Sequence, residues 1–449
     1  MNAATRSQNA NPLRRYASAV RSADLIRRSG RVTQFFGLVV ESTGPDAFLG
    51  EVCEIYSRSQ PLPIGAEVVG LRDGKVLLMP FGDLRGIAAG SEVIATGRPL
   101  AVPIGDGLLG RIVDAFGRPL DGKPLHGRSE PSYLKLEPHN PLARSRIRQT
   151  METGVRCIDC LLTLGKGQRV GIFSGSGVGK STLLGMIARN VKSDINVIGL
   201  IGERGREVLE FVERNLGPEG LRRSAVVVAT SDQPALTRCR AAYTATTVAE
   251  HFREQGRDVL LIMDSITRFA MAQREIGLSV GEPPTSRGYT PSVFAALPKL
   301  LERAGTAEGK GAITALYTVL VESDDINDPI ADAMRAVLDG HIVLSRELAN
   351  HGHYPAIDLL NSSSRLLVDV VSPHEREVVN KAVAAISVYS KSKDLIDVGA
   401  YRSGSNSELD AALRILPDLN KFMCQRMDEA HARSDGMVQL RKIFATTGK

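Results

Sequence analysis

The sequence predicts an α/β protein in which a core of alternating strands and helices follows a small β-barrel and precedes a helical domain. Three patterns carry this prediction: short apolar runs broken by Gly, Pro and Asp before residue 100, alternating strand-like and helix-like segments after it, and helical spacing beyond residue 372. The predicted parts are a basic arm at 1–29, the barrel at 30–100, the α/β core at 101–371 and the helical domain at 372–449.

Composition is typical of a globular chain. Of the 449 residues, 43% are hydrophobic and 24% are charged, which is enough apolar content for a sizeable core. No apolar run reaches the ~18 residues needed to cross a bilayer, and the N-terminus lacks the apolar stretch of a secretory signal. We therefore expect a cytoplasmic protein.

Charge is concentrated at the N-terminus. Residues 1–31 hold seven arginines and one acid, a net +6 that equals the net charge of the whole chain. The neutral remainder disfavours nucleic acid as a partner. Apolar residues recur at helical spacing among the arginines, at Leu13, Tyr16, Ala17 and Val20. A docking helix for a partner protein, a membrane-surface helix, an organelle presequence and a solvated tail all remain open for this arm.

The five cysteines include one C-x-x-C pair, Cys157 and Cys160. No second pair or His-x-x-His stands at the spacing of a zinc site, and Cys53, Cys239 and Cys424 are scattered. We interpret all five as ordinary thiols of the core or surface, not as a redox or zinc centre.

The segment at 30–100 has the pattern of a small barrel. Its apolar runs at 35–40, 66–69 and 76–79 are short, and Asp73-Gly74 is a pair typical of a two-residue hairpin turn. The segment lacks the clustered aromatics on which barrels stack single-stranded bases, which favours a structural role.

The α/β core contains apolar runs typical of buried strands in a mostly parallel sheet, covered by helices on both faces. These runs are 170–173, 195–201, 225–229, 259–263, 313–321 and 341–344. Because ligands bind beyond the carboxyl ends of such strands, the polar residues that follow them are candidates for a site. After the core, Ser372, Pro373 and Glu375 have the spacing of a capped helix start, and apolar residues at 409–423 keep helical spacing.

A glycine-rich loop follows the apolar run at 170–173. Its backbone N–H groups are expected to cradle phosphate oxygens, while Lys180 reaches the β- and γ-phosphates and Ser181 Oγ binds Mg²⁺. Ser174 stands where the usual pattern has its first glycine. The predicted phosphate-binding residues are Gly175, Ser176, Gly177, Val178, Gly179, Lys180, Ser181 and Thr182.

Two acids follow strand-like runs in chain order after this loop. Asp264 comes directly after 259–263 and is suited to hold Mg²⁺ through water, and Glu203 comes just after 195–201 and is suited to orient an attacking water. An isolated acid at a strand end is more often a cap or turn residue. Together with the loop, the two acids indicate phosphoryl transfer.

Longer stretches around these residues resemble the catalytic β-type subunits of the rotary ATP synthase superfamily: 202–207, 261–268, 324–329 and 352–358. Others resemble, more narrowly, the ATPases of type III protein export: 173–181, 297–305 and 339–346. The run as a whole, including 399–401, is most similar to the flagellar branch of that group. The resemblance covers nearly everything from residue 30 onward and implies a RecA-like P-loop core.

The resemblance implies roles for the residues of the site. Glu203 would polarise the attacking water, and Arg204 and Arg268 would approach the γ-phosphate. Glu207 and Asp264 would support the water shell of the metal. ATP and Mg²⁺ are the implied substrate and cofactor.

Two further residues match functional positions of that family. Tyr354 matches the aromatic that stacks on adenine, although a half-buried core tyrosine is the simpler interpretation of that residue alone. Arg365 matches an arginine finger that enters the site of a neighbouring subunit, although a surface ion pair would explain a lone arginine. A finger given in trans requires an oligomer, and the family forms hexameric rings.

The implied function is Mg²⁺-dependent ATP hydrolysis that energises flagellar protein export. The implied partners are other copies of the chain, a regulatory stator-like protein at the arm, membrane proteins of the export gate, and export substrates with their chaperones. The implied location is the cytoplasmic face of the inner membrane. The alternatives are the ATPase of a virulence-type injection system, a rotary synthase catalytic subunit, an RNA-dependent ring translocase and a noncatalytic ring subunit.

Overall fold

The computed structural model describes residues 28–445 except 58–59, 126, 128, 135–136, 139, 308, 310 and 322–327. The chain divides into two compact units, with the boundary between Pro99 and Leu100. The amphipathic pattern of the arm lies outside the described residues, as does most of the stretch at 324–329. Ser29, which the prediction includes in the arm, is the first residue of a strand.

The first unit is a closed antiparallel barrel, as predicted. Its strands are β1 (Ser29–Phe36), β2 (Val39–Thr43), β3 (Glu51–Tyr56), β4 (Ile64–Arg72), β5 (Lys75–Pro80) and β6 (Glu92–Pro99). They pair in the order β1-β2-β5-β4-β3-β6, and β6 closes onto β1. Inward-facing Val40, Ile55, Val68 and Leu78 are at most 1% exposed and form the core of the barrel.

Of two local predictions for the barrel, the strand at 35–40 is wrong and the hairpin turn at Asp73-Gly74 is confirmed. The apolar run at 35–40 is not one strand, because the chain reverses between β1 and β2 at Gly37, whose φ of 55° suits glycine. The Asp73-Gly74 hairpin is confirmed: the two residues have φ values of 50° and 73°, and Arg72 pairs with Lys75 across the turn.

The second unit contains a nine-stranded sheet and two short two-stranded sheets. Its strands are β7 (Ala101–Ile104), β8 (Arg111–Val113), β9 (Glu130–Tyr133), β10 (Thr150–Met151), β11 (Leu164–Gly165), β12 (Arg169–Ser174), β13 (Ile195–Ile201), β14 (Ser224–Ala229), β15 (Asp258–Asp264), β16 (Gly305–Thr306), β17 (Ala312–Leu320), β18 (Gly340–Leu344) and β19 (Ile357–Ser364). The large sheet runs β19-β18-β12-β17-β15-β13-β14-β8, with β16 beside β17. Only β16 and β19 are antiparallel to their neighbours in this sheet, among the described strands.

The helices of this unit cover the sheet and continue into the C-terminal domain. They are α1 (Arg156–Leu161), α2 (Lys180–Asn190), α3 (Gly205–Glu210), α4 (Gly217–Arg222), α5 (Ala235–Glu254), α6 (Ile266–Ser279), α7 (Pro291–Leu301), α8 (Pro329–Val337), α9 (Arg346–Asn350), α10 (Leu367–Val370), α11 (Pro373–Asp397), α12 (Ser407–Met423) and α13 (Arg433–Ala445). A π-helical turn, Phe211–Leu216, joins α3 to α4. No described helix is long and apolar enough to cross a membrane.

The six strand-like runs of the α/β core all fall on β12, β13, β14, β15, β17 and β18, to within one residue at the ends. The start of α11 is also confirmed, because Ser372 and Glu375 form a reciprocal capping box with Pro373 at the first helical position. The C-terminal helices share the core of the sheet: Leu419, Phe422 and Leu440 belong to the same buried cluster as the strand residues. This packing joins the helical domain directly to the strands that carry the site.

Candidate nucleotide site

The phosphate loop is positioned by a buried strand and a helix. β12 lies between β17 and β18 and ends at Ser174, and α2 begins at Lys180. Gly177 and Gly179 have φ values of 78° and 89°, a conformation that favours glycine and lets the loop turn back on itself. Gly179 caps α2 without a side-chain hydrogen bond, so no capping side chain occupies the N–H groups of the first turn.

Strand order brings two acids to the loop lysine. Because β17, β15 and β13 follow β12 in the sheet, Asp264 and Glu203 reach the same edge as the loop. Lys180 Nζ donates a hydrogen bond to Asp264 Oδ1 and lies 3.6 Å from Glu203 Oε1. Thr318 Oγ1, on β17, donates to the same Asp264 oxygen at 2.6 Å. The side chains of Lys180 and Asp264 are only 12% and 4% exposed, so this is a buried charge cluster.

Local sequence around the two acids explains the placement of Arg268. Ser265 caps α6 by accepting a hydrogen bond from the Arg268 N–H, which sets Arg268 in the first turn of that helix. Gly202 has a φ of 70°, and a Cβ there would lie 2.9 Å from Arg268 Cβ. Only glycine therefore allows the main chain at residue 202 to approach Arg268 so closely. Arg268 Nε is buried without a hydrogen-bond partner among the described residues, which leaves it available to an anionic ligand.

The charge cluster shifts the ionisation of its members. Burial by itself would lower the pKa of Lys180, but the charges of Asp264 and Glu203 outweigh it and raise that pKa. Burial, reinforced by the charge of Asp264, raises the pKa of Glu203 to about 7. Burial would raise the pKa of Glu207 as well, but hydrogen bonds from Glu203 and Arg204 lower it. Glu203 is therefore a carboxyl that exchanges its proton near neutral pH.

These residues surround a cavity of about 880 Å³, large enough for a nucleotide. Most of the predicted site residues line it: Gly175, Ser176, Gly177, Gly179, Lys180, Ser181, Thr182, Glu203, Arg204, Glu207 and Arg268. Val178 is 1% exposed and packs beneath the loop, and Asp264 is buried behind Lys180. Arg204 pairs with Glu207 at 2.9 Å and is 77% exposed, so it is free to reorient.

Tyr354 stands beside the phosphate loop. A Cβ on Gly179 would lie 3.4 Å from Tyr354 Cε1, so the ring packs against the start of α2. The tyrosine is 46% exposed, which leaves part of the ring free for a planar ligand. Its main-chain carbonyl accepts a hydrogen bond from the Gln425 N–H at 2.9 Å, a contact from the C-terminal domain.

Arg365 is not brought to the phosphate loop of its own chain. It follows β19, which is separated from β12 by β18, and its guanidinium donates to the Arg335 carbonyl at 2.9 Å. The side chain is exposed at the edge of the sheet. The structure thus divides the predicted site into a cluster around Lys180 and a separate, outward-facing arginine.

Several residues that line the cavity were missed by the sequence analysis: Thr267, Met271, Arg274, Arg287, Tyr289, Leu320, Val321, Asp328 and Arg346. The sequence contains a signal for Arg346, because this residue lies two positions beyond the carboxyl end of parallel strand β18, where ligands of such sheets bind. Arg287 had none, because it lies in an irregular segment with an unusual φ of 50°.

The donor set fits Mg²⁺ held mainly by a nucleotide. No group of three or more His, Cys, Asp or Glu able to hold a metal occurs in the described part of the chain. Ser181 Oγ and Glu207 supply oxygens at the cavity for the predicted metal, and Oε1 of Glu203, the predicted orienter of the attacking water, is buried without a hydrogen-bond partner among the described residues. Mg²⁺ prefers such a setting, in which one or two protein oxygens join phosphate oxygens and waters.

The fold and the site define a P-loop nucleotide-binding protein with acids at the carboxyl ends of the neighbouring strands. The family model of the ATP synthase alpha/beta nucleotide-binding domain matches residues 154–364, and that of the beta-barrel domain matches residues 32–97. The model of the T3SS EscN ATPase C-terminal domain matches residues 371–442.

Curated relatives and solved structures agree with these matches. A flagellum-specific ATP synthase of Bacillus subtilis is 53% identical over 94% of this chain and 97% of its own length. A type 3 secretion system ATPase of Xanthomonas euvesicatoria is 48% identical over 93% of this chain and 94% of its own. The assembled ATPase EscN of the enteropathogenic E. coli type III secretion system superposes with a TM-score of 0.87 at 44% identity, covering 92% of this chain and 99% of that one. The chain belongs to the ATP synthase alpha/beta family and, within it, to the ATPases of type III protein export.

Proposed function

We propose that this protein hydrolyses Mg·ATP at the Lys180 cavity, as one subunit of a hexameric ring that energises flagellar protein export. The observation that carries the chemistry is the arrangement of Glu203 beside Lys180 and Asp264, at the end of a phosphate loop and in a cavity of nucleotide size. A carboxyl with a pKa of about 7 is matched to accepting a proton from water at neutral pH.

Each part of the cavity supports one requirement of phosphoryl transfer. The loop N–H groups and Lys180 bind the phosphates, and Arg204 and Arg268 neutralise charge that develops on the γ-phosphoryl oxygens. Glu203 orients the attacking water and accepts its proton. Ser181 and Glu207 would hold Mg²⁺, which would supply further neutralisation of the phosphate charge. Tyr354 stacks on the base.

The ring is supported by two facts. Arg365 faces away from the cavity of its own chain, as an arginine that serves a neighbour must. Relatives assemble: one solved structure is the assembled EscN, and another, with a TM-score of 0.85 and 43% identity, is EscN with its central stalk EscO.

The flagellar assignment is supported by the Bacillus subtilis relative, which is a flagellum-specific ATP synthase. The second candidate is an injection-system ATPase, which the Xanthomonas relative and the EscN structures favour. Both candidates use the same chemistry at Lys180, so an assay of ATP hydrolysis does not distinguish them. An assay of protein secretion in the source cell does.

The deciding experiment replaces Lys180 with Ala in the source cell and measures secretion of filament and hook proteins at matched protein level. Lys192→Ala is the control, because Lys192 is 65% exposed and pairs with Glu152 away from the cavity. Retention of filament proteins in Lys180→Ala cells alone would support flagellar export. Normal filament export in Lys180→Ala cells would contradict the flagellar assignment and favour an injection system. That outcome would not test ATP hydrolysis itself.

The arm at 1–29 is proposed to dock a regulatory, stator-like partner that brings the ring to export gate proteins at the cytoplasmic face of the inner membrane. Substrates and their chaperones would be released there. Deleting residues 1–27, which leaves β1 and its pairing with β6 intact, should abolish binding of the partner while ATP hydrolysis survives. Loss of hydrolysis together with binding would contradict a role confined to docking.

A further inference from the structure

Arg365 is held by two hydrogen bonds that do not involve its own strand. Its main-chain N–H donates to the Asp339 carbonyl at 3.0 Å, and its Nη2 donates to the Arg335 carbonyl at 2.9 Å. Arg335 lies in the last turn of α8. The direction of the Arg365 guanidinium therefore depends on where the end of α8 is placed.

Both anchors are fastened to β12, the strand that carries the phosphate loop. Arg169, its first residue, donates two hydrogen bonds to the Asp339 carboxylate, from Nε to Oδ2 and from Nη2 to Oδ1, each at 3.0 Å. Phe173, its penultimate residue, lies under Arg335, whose guanidinium carbon is 5.0 Å from the centre of the ring. Such a cation over an aromatic face is attracted by the ring quadrupole.

The contact between Arg335 and Phe173 is built into the core. Phe173 is 2% exposed, and the ring of His341 meets it edge-on at a centroid distance of 5.8 Å. Burial lowers the pKa of His341, and the charges of Arg335 and Arg365 lower it further. The ring under Arg335 is thus fixed from two sides.

The other end of α8 reaches the cavity of the same chain. Asp328 caps the helix by accepting hydrogen bonds from the N–H groups of Ile330 and Ala331. It also lines the cavity and lies 3.5 Å from Arg287 Nη1. With nine residues, the helix spans roughly 13 Å between these two ends. One short helix therefore contacts both the nucleotide cavity and the anchor of Arg365.

We propose that Arg335 is a positioning residue for Arg365: by stacking on Phe173, it holds the end of α8 at the place where its carbonyl receives the Arg365 guanidinium. This inference rests on the proposed function, in which Arg365 acts on the nucleotide of a neighbouring subunit. Replacing Arg335 leaves its carbonyl in the chain but removes the stacking that fixes it. The expected effect is on turnover, not on binding of ATP to the chain's own cavity.

The test compares Arg335→Ala, Arg335→Lys, Arg365→Ala and the double variant Arg335→Ala/Arg365→Ala in the full chain. Arg365→Ala should lower kcat on the order of 10³-fold, as loss of an arginine finger does. Arg335→Ala should lower kcat roughly 10- to 100-fold with KM unchanged, the scale at which a misplacement of about 1 Å acts. Arg335→Lys should recover part of the loss, since it keeps a cation over the ring. The double variant should be no slower than Arg365→Ala.

The matched control is Arg118→Ala, which removes a comparable stack on Phe116, 5.3 Å from the ring centre and away from Arg365. It should leave kcat unchanged. A kcat of Arg335→Ala equal to the starting protein, or losses that multiply in the double variant, would overturn the positioning role while Arg365 stands. A normal kcat in Arg365→Ala would instead overturn the proposed finger itself. Arg335→Lys, compared at equal melting temperature, keeps the test valid if Arg335→Ala folds poorly.

Discussion

Lys180 and Asp264 are joined directly, with the ammonium donating to a carboxylate oxygen that also accepts from Thr318. The contact ties the start of α2 to the end of β15, so the phosphate-binding cation and the neighbouring acid are held at one edge of the sheet. Glu203 Oε1 lies farther from the same ammonium, at 3.6 Å. Asp264 is therefore the closer partner of Lys180, and burial raises the pKa of Glu203 to about 7.

The pH dependence of hydrolysis should report Glu203. Because its pKa is raised to about 7, it is protonated below that pH and cannot accept a proton from water, whereas above it the carboxylate predominates. We expect kcat/KM for ATP to rise with pH and to level off above about 7. Glu203→Gln should lower kcat by roughly 10²- to 10⁴-fold and flatten this profile. Steady-state assays between pH 5.5 and 8.5 (about 1.5 units either side of that pKa) measure both.

Glu210→Gln is the control for Glu203→Gln, because Glu210 is exposed and pairs with Arg214 on the helix surface. It should keep the rate and the profile of the starting protein. A starting protein whose kcat/KM is flat between pH 6 and 8, or a Glu203→Gln variant with an unchanged profile, would contradict the role of this carboxyl.

Tyr354 should affect the affinity for the base and not the chemistry. Tyr354→Ala is expected to raise KM for ATP roughly 10-fold at unchanged kcat, because stacking on an aromatic contributes about 1–3 kcal/mol per base. Tyr354→Phe keeps the ring and should behave as the starting protein. Tripolyphosphate, which has no base, should inhibit all three equally. Weaker inhibition of Tyr354→Ala would mean that the ring shapes the phosphate loop instead.

Arg365 should act in trans. Lys180→Ala lacks a working cavity but keeps Arg365, whereas Arg365→Ala keeps the cavity but lacks the finger. Each variant alone is expected to hydrolyse ATP slowly. Mixing them should restore activity, because the intact cavity of an Arg365→Ala subunit can then receive Arg365 from a neighbouring Lys180→Ala subunit. Assays over a range of mixing ratios measure this recovery. Activity equal to the weighted average of the two variants at every ratio would contradict this prediction. It would mean that Arg365 acts on the cavity of its own chain or has no role in hydrolysis.

The buried pair of Arg303 and Glu250 should control stability. The two side chains are 0% and 3% exposed and share two hydrogen bonds of 3.0 and 2.6 Å, with Thr247 accepting a third from Arg303 at 2.9 Å. Glu250→Gln leaves a buried cation without its counter-charge and should lower the free energy of unfolding by about 3–5 kcal/mol. Urea unfolding followed by circular dichroism measures this change.

The double replacement Glu250→Met/Arg303→Met removes both charges and should recover part of the loss, because an apolar pair of similar volume avoids the desolvation cost. The recovery should be incomplete because Arg253, which is buried and interacts with Glu250, keeps its charge. Equal destabilisation by the single and double variants would show that packing, and not the charge, dominates at this place.

Much of the fold could be predicted because it depends on interactions between residues that are close together in the sequence. The Asp73-Gly74 hairpin and the capping box of Ser372 and Glu375 depend on residues within a few positions of one another, and both occur in the structure. Strand β19 was missed because its second half, Asn361-Ser362-Ser363-Ser364, is polar and partly exposed at the edge of the sheet. An apolar pattern marks a buried strand, and this strand has little to bury.

By itself, the sequence determined the phosphate loop, the acids at the carboxyl ends of β13 and β15, and the order of barrel, α/β core and helical domain. Only the tertiary structure decided that Asp264 is the closer partner of Lys180, that Tyr354 packs against Gly179, and that Arg365 points away from the loop. The reason is physical. Periodicity and turn chemistry act between near neighbours in the chain, whereas strand order, burial and the resulting pKa shifts arise from pairings between distant segments.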